Sequence, residues 1–259
     1  CGRSHTIALT RGGQIWCWGS NDQGQLGIGM LDNTKTGSIN FQVKKKNNIN
    51  IIEQKKQQDL QNKWFPHASN STDSNNNNVL NTNKMKPVKL PDVFGGATVV
   101  QICCGSWHTM CLTHRGISST VFVWGRATEG QLGNGTEGTH IGKGKKRRLS
   151  NATSPNVVPS LSGLHVRSIS CGDMNCAAVL AHGMLFTWGE ASLGKLGHGF
   201  NQKRQLTPNL VRGALTEERV TSVSLGFEHS GCVTESGNIY TWGNNFYGRL
   251  GLGDENNRY

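Results

Sequence analysis

One layout occurs four times in this chain, and self-similarity of that kind restricts a sequence to stacked architectures before any other feature is considered. The first copy reads Cys1-Gly2-Arg3-Ser4-His5-Thr6, then Trp18-Gly19, then Gly24-Gln25-Leu26-Gly27. The second has Cys104-Gly105-Ser106-Trp107-His108-Thr109, Trp124-Gly125 and Gly130-Gln131-Leu132-Gly133. The third has Cys171-Gly172-Asp173-Met174-Asn175-Cys176, Trp188-Gly189 and Gly194-Lys195-Leu196-Gly197. The fourth has Leu225-Gly226-Phe227-Glu228-His229-Ser230, Trp242-Gly243 and Gly248-Arg249-Leu250-Gly251. From the first glycine to the tryptophan is 16 residues in three copies and 19 in the second, and from tryptophan to the next marker glycine is 6 in all four. The copies begin 103, 67 and 54 residues apart, so the length variation falls between repeats, where loops absorb it.

Each copy reads as short strands. His5 to Thr10 is compatible with a strand, Arg11-Gly12-Gly13 with a turn, and Gln14 to Trp18 with a second strand. The fourth copy repeats this from His229 to Thr234, through Glu235-Ser236-Gly237, to Asn238–Trp242. Further strands are expected at Val99–Cys103, Val166–Ser170 and Val220–Leu225. Each is preceded by a Pro-containing segment around Pro87, Pro155 or Pro208. The 34 glycines and 7 tryptophans fit many tight turns between short packed strands. A unit of about four short strands cannot bury its own apolar face and must stack on its neighbours; radial stacking gives a propeller. The expected fold is all-β: a partial β-propeller of about four four-stranded blades. The expected boundaries are repeats at 1–29, 87–136, 155–200 and 207–253, an insert at 30–86 and a basic loop at 137–154.

The pattern Cys-Gly-x-x-His-Thr, then Trp-Gly, then Gly-Gln-Leu-Gly resembles the repeat of the regulator of chromosome condensation family, and four copies make the resemblance specific. It implies a seven-bladed ring. Four repeats do not close such a ring, so the chain is expected to be part of a longer protein. The repeat markers carried over are Gly2, His5, Trp18, Gly19, Gly105, His108, Trp124, Gly125, Gly172, Trp188, Gly189, Gly226, His229, Trp242 and Gly243.

The net charge of +11 is concentrated locally. Residues 30–86 hold nine Lys against four acidic residues, and Lys143, Lys145, Lys146, Arg147 and Arg148 add five more positive charges. The insert is rich in Asn, Gln and Lys, buries too little to offset its ordering entropy, and is expected to be a disordered, dispensable surface insertion. The basic run reads as a nuclear import signal or a contact to nucleic acid or a nucleosome, with a solvated loop as the plain alternative. Ser150, after Arg147-Arg148-Leu149, looks like a basophilic kinase site whose phosphate would reduce that charge.

No catalytic residue is expected. The His at positions 5, 108 and 229 recur, with Asn175 in the third copy, whereas a catalytic base needs one unique environment; they are expected to bond backbone at a blade turn. Cys1, Cys104 and Cys171 share a position that Leu225 fills in the fourth copy, so it reads as an apolar packing site. Cys103, Cys111, Cys176 and Cys232 show no paired CxxC spacing, so no metal, no cofactor and no disulfide is expected. Unpaired thiols suit a reducing compartment, nuclear or cytoplasmic. No run of 18 apolar residues suggests a membrane span. The resemblance implies a protein-interaction scaffold. Its finer form is guanine-nucleotide exchange on a Ran-like small GTPase with chromatin docking; the alternative is the docking propeller of a larger protein such as a HECT-type ubiquitin ligase. A light sensor of this family would use a face crowded with Trp and Arg, but Trp107 alone lies between a marker Gly and His.

Overall fold

The computed structural model describes residues 1–29, 82–136, 151–200 and 203–259. The sheets follow chain order. β1 (His5–Leu9), β2 (Ile15–Gly19) and β3 (Lys84–Lys89) form the first. β4 (Thr98–Cys104), β5 (His108–Arg115), β6 (Ser118–Gly125) and β7 (Ala152–Val157) form the second. β8 (Val166–Cys171), β9 (Asn175–Leu180), β10 (Leu185–Glu190) and β11 (Arg204–Leu210) form the third. β12 (Val220–Leu225), β13 (His229–Thr234) and β14 (Ile239–Gly243) form the fourth. Every pairing is antiparallel between consecutive strands, so each sheet is a meander and each meander is one blade. The fold is the all-β propeller arrangement expected from the repeat. Among the described residues, however, two blades have four strands and two have three. In the last blade Arg258 bridges Gly243, the place where Ala152 meets Gly125 two blades earlier.

The structure moves the expected boundaries. Pro87, Pro155 and Pro208 lie inside β3, β7 and β11, the outermost strands, and so belong to the blade before them rather than to the repeat after. Proline has no N–H to donate, and an edge strand tolerates that loss where a central strand does not. Lys84 to Lys86 of the expected insert are therefore strand β3, and Ala152 to Ser154 of the expected basic loop are strand β7. Residues 30–81 of the insert lie outside the described residues.

Burial follows from what flanks each blade. β9 is buried at every position and β5 at its first six, because the second and third blades each have a sheet on both sides. β1 and β13, with a described blade on one side only, alternate buried and part-exposed positions. One apolar core joins the first three blades and a second joins the third and fourth.

A single device recurs at each seam. Trp124 Nε1 donates to the Gln25 carbonyl of the preceding blade at 2.9 Å, Trp188 to the Gln131 carbonyl at 3.0 Å, and Trp242 to the Lys195 carbonyl at 2.9 Å. The residue paired with that Trp across the blade donates to the same carbonyl: Thr109 Oγ1 at 2.9 Å, Cys176 Sγ at 3.4 Å, Ser230 Oγ at 2.7 Å. Gly27 and Gly133 are glycine because the indole lies against them. A Cβ would sit 2.7 Å from Trp124 Nε1 or 2.8 Å from Trp188 Nε1, and both backbones have positive φ. The four markers thus occupy equivalent positions, with Trp124 and Trp188 fully buried, Trp242 nearly so and Trp18 half-buried.

The histidines correct their expected role. His5 Nε2 meets Thr109 Oγ1 of the next blade at 3.0 Å, and His108 Nε2 meets Cys176 Sγ at 3.1 Å; the partners are side chains across a seam, not backbone at a turn. His5 is 3% exposed, and its pKa is pushed down to about 4, first by burial and then by nearby His108 and the terminal ammonium. An imidazole held neutral when folded is protonated more readily when unfolded, near pH 6.5. Its contribution is therefore complete above that pH and drains away as pH falls towards 4. Chemical denaturation across this window should show a loss of at most about 3 kcal/mol. In His5→Asn, which copies Asn175 of the third repeat, that part of the slope should vanish; an unchanged slope would mean that other groups cause it.

Candidate protein-docking face and a thiol cluster at a blade seam

In a four-stranded meander the first and third connections emerge at the same end. Here that end is stitched together: Ser20 N donates to Ser4 O at 2.8 Å, Arg126 N to Trp107 O at 2.9 Å, Glu190 N to Met174 O at 3.0 Å and Asn244 N to Glu228 O at 2.9 Å. Around the axis, Arg3 N bonds Ser106 O at 3.4 Å, Ser106 N bonds Asp173 O at 2.9 Å, and the Ser106 hydroxyl bonds the Asp173 carboxylate. The Arg3 guanidinium lies over Trp107, 5.6 Å from the ring centroid. The marker glycines Gly2, Gly105, Gly172 and Gly226 line a hollow of about 290 Å³ at the centre of this face.

Both long excursions start from and return to this face. The chain leaves at Gly29, whose N–H bonds Thr153 O at 2.8 Å, and on its return Asn83, just before β3, accepts from Asn21 N at 2.8 Å. It leaves again at Thr136 and resumes at Asn151, which bonds Gln23 Oε1 at 3.0 Å and Ala127 N at 3.2 Å. The expected contact residues Lys143, Lys145, Lys146, Arg147 and Arg148, and the expected phosphosite Ser150, lie outside the described residues.

Sequence reasoning missed an apolar patch on this face. Leu193 (φ 58°) and Tyr247 (φ 64°) occupy equivalent positions ahead of Gly194 and Gly248, both in the left-handed region. Bulky side chains rarely adopt it, and doing so costs on the order of 1–2 kcal/mol. Leu193, whose blade has a described blade on each side, is still 39% exposed, so burial does not fully offset that strain; Tyr247, Phe246 and Phe227 are more than half exposed in the fourth blade, which has a described neighbour on one side only. The matching residues in the first two blades, Gln23 and Glu129, are polar and have ordinary φ. Comparing Gln23, Glu129, Leu193 and Tyr247 in the aligned copies would have shown the change of polarity, but not the backbone conformation.

A second arrangement also overturns an expectation. Cys104 and Cys171 pack against the apolar core as expected, half-buried, and also line the axial hollow. His108 Nε2, Cys171 Sγ and Cys176 Sγ lie within 4.8 Å of one another, and Cys103 Sγ is 3.0 Å from Cys171 Sγ. Metal-ligating groups therefore do converge, two from one hairpin of the third blade and two from the second blade across the seam.

Meanders stacked side by side about a common axis, each locked to the last by an indole, define a β-propeller repeat protein. Two sequence-family profiles, both described as the Regulator of chromosome condensation (RCC1) repeat, match residues 118–179 and 182–233 and residues 1–25 and 220–249. The chain belongs to that family. Among curated relatives it is 28% identical over 257 residues to the ultraviolet-B receptor UVR8 of Arabidopsis thaliana, covering 99% of this chain and 43% of that protein. It is 29% identical over 270 residues to the human E3 ubiquitin-protein ligase HERC2, covering 98% of this chain and 5% of that protein. The chain thus spans less than half the length of either relative. Human WBSCR16 superposes with a TM-score of 0.67 at 21% identity, covering all of this chain and 50% of that one. Yeast RCC1 (Prp20), solved bound to Kap60, superposes with a TM-score of 0.53 at 21% identity, covering 94% and 54%. Among the described residues no helix is long and apolar enough to cross a membrane.

Proposed function

We propose that this chain is a protein-interaction scaffold and that its docking surface is the face bearing the marker-glycine turns. The observation that carries this reading is the pair Leu193 and Tyr247, which hold a costly backbone conformation while presenting apolar side chains to solvent. Strain that the fold does not need is a mark of a surface kept for contact. Phe246 and Phe227 extend the apolar area, and Glu228 with Arg249, paired at 3.3 Å, gives it a charged edge. Aromatic anchors with a polar rim are the make-up of a protein-binding patch.

The finer reading is guanine-nucleotide exchange on a Ran-like small GTPase. The yeast relative Prp20p binds Gsp1p and histones, which supports the partner class through likeness of fold. Exchange of this kind needs no acid, base or metal: tight binding to the empty GTPase weakens nucleotide by linkage. The run at Lys143–Arg148 would add salt-sensitive attraction to an anionic partner such as a nucleosome. The alternative, a docking propeller in a HECT-type ligase, is supported by the likeness to HERC2, in which the matched region is a small part of the protein. Photoreception is not proposed, since Ser4, Met174 and Glu228 stand where a Trp-crowded face would repeat Trp107.

Replacing both Leu193 and Tyr247 by glycine separates contact from folding. The double variant should be as stable as the parent or more so by about 1–2 kcal/mol, because glycine accepts positive φ. Its affinity for a nucleotide-free Ran-type GTPase, measured by interferometry, should fall at least tenfold. Unchanged affinity would remove this face from the reading. If the parent chain ignores the empty GTPase but binds other proteins through these residues, the docking-platform alternative stands.

A further inference from the structure

We propose that His108, Cys171 and Cys176, with Cys103 as the fourth ligand, form a site for a thiophilic metal ion, zinc, at the seam between the second and third blades. At the seam before it, His5 meets the hydroxyl of Thr109; at the seam after it, the corresponding residues are Asn175 and Ser230. Between the second and third blades the hydroxyl has become the thiol of Cys176, 3.1 Å from His108 Nε2. Two more thiols then arrive from the innermost strands β4 and β8, Cys103 and Cys171, in contact at 3.0 Å.

The donor set selects the ion. Three sulfurs and one imidazole nitrogen, with no carboxylate, suit neither calcium nor magnesium, which take oxygen. They suit zinc, bound tetrahedrally at about 2.3 Å from sulfur and about 2.0–2.1 Å from nitrogen. Three of the four donor atoms already lie within 4.8 Å of one another, and Cys103 Sγ lies 3.0 Å from one of them, Cys171 Sγ.

Binding converts three thiols to thiolates and releases three protons to solvent, while His108 offers its Nε2 lone pair with the ring proton on Nδ1; the bound unit carries one net negative charge. When Cys176 gives up its proton it ceases to donate to the Gln131 carbonyl. That carbonyl keeps the Trp188 indole N–H at 3.0 Å, so no buried acceptor is orphaned. His108 and Cys176 are fully buried, whereas Cys171 faces the axial hollow, which gives the ion a route in. The ion would tie consecutive blades together at their inner strands.

The repeat itself supplies the test variants. Cys176→Ser and His108→Asn copy Ser230 and Asn175, which the same fold already accepts at those positions. The tag-free, reduced 259-residue chain is titrated with Co²⁺ in absorbance, then with Zn²⁺. One equivalent of Co²⁺ should give thiolate-to-cobalt charge-transfer absorption and the intense visible bands of a four-coordinate ion, and Zn²⁺ should displace it. Zn²⁺ should also raise the parent's thermal midpoint. Each variant, folded by circular dichroism, should bind at least tenfold more weakly and lose the thermal shift. Cys232→Ser, outside the cluster, should bind as the parent does. Absent charge-transfer bands would overturn the site, as would unchanged affinity in both variants. So would an unreduced chain two hydrogens lighter, with Cys103 and Cys171 joined in one cross-linked peptide.

Discussion

Trp188→Ala is expected to lower the unfolding free energy by about 4 kcal/mol, the range for removing a large buried aromatic. The side chain is fully buried, bonds the Gln131 carbonyl of the preceding blade at 3.0 Å, and lies against Gly133, so its loss opens a cavity at a seam. Trp188→Phe should cost less, since much of the apolar area remains and Cys176 Sγ, 3.4 Å away, still donates to that carbonyl. Trp18→Ala should cost least of the four marker positions, because Trp18 is half-buried with no described blade against it. Urea unfolding of the three variants gives the ranking. Equal losses at Trp18 and Trp188 would mean that the tryptophans stabilise their own blades and do not lock neighbouring ones.

Glu190→Ala is expected to cost about 3–5 kcal/mol, far more than loss of a surface ion pair. Its carboxylate pairs with the Lys195 ammonium, and Lys195 is 1% exposed. Without Glu190 the buried cation keeps the Phe227 carbonyl at 3.2 Å, which does not neutralise it. The first blade shows a neutral solution at the same two positions: Gln25 Nε2 bonds Ser20 Oγ at 3.2 Å, and Gln25 Oε1 accepts from Gln23 N at 2.9 Å. The double variant Glu190→Ser, Lys195→Gln should therefore recover to within about 1 kcal/mol of the parent, a coupling typical of residues in direct contact. The carbonyl of residue 195 still receives Trp242 and Ser230 in both variants, so the seam itself is not altered. A double variant as unstable as Glu190→Ala would show that the pair is not what holds this loop.

The strand pairs nearest in sequence were legible from the residues. His229–Thr234 and Val220–Leu225 form as read, because each hairpin is closed by a short turn and its pattern is local. The fourth strands were not. β3 pairs with β2 across residues 20–83, and no local pattern says that a Pro-containing segment turns back to the blade behind it rather than opening the blade ahead. The strain at Leu193 and Tyr247 was equally hidden, since a left-handed backbone under a bulky side chain contradicts local propensity.

What the sequence determined by itself is the unit and its spacing. Tryptophan, glycine and the short apolar strands recur because each blade must meet the same steric and burial demands, and demands that repeat leave a periodic trace. What only the tertiary structure decided is which residues face each other across a seam. Radial stacking sets the His position of one blade against the next residue position of the following blade, His5 on Thr109 and His108 on Cys176, separations of 104 and 68 residues. Within any one repeat Cys176 reads as a small buried side chain. Cys171 is its cross-strand partner within the blade, but His108 and Cys103 reach the pair only because two blades share an axis and close their inner strands on each other.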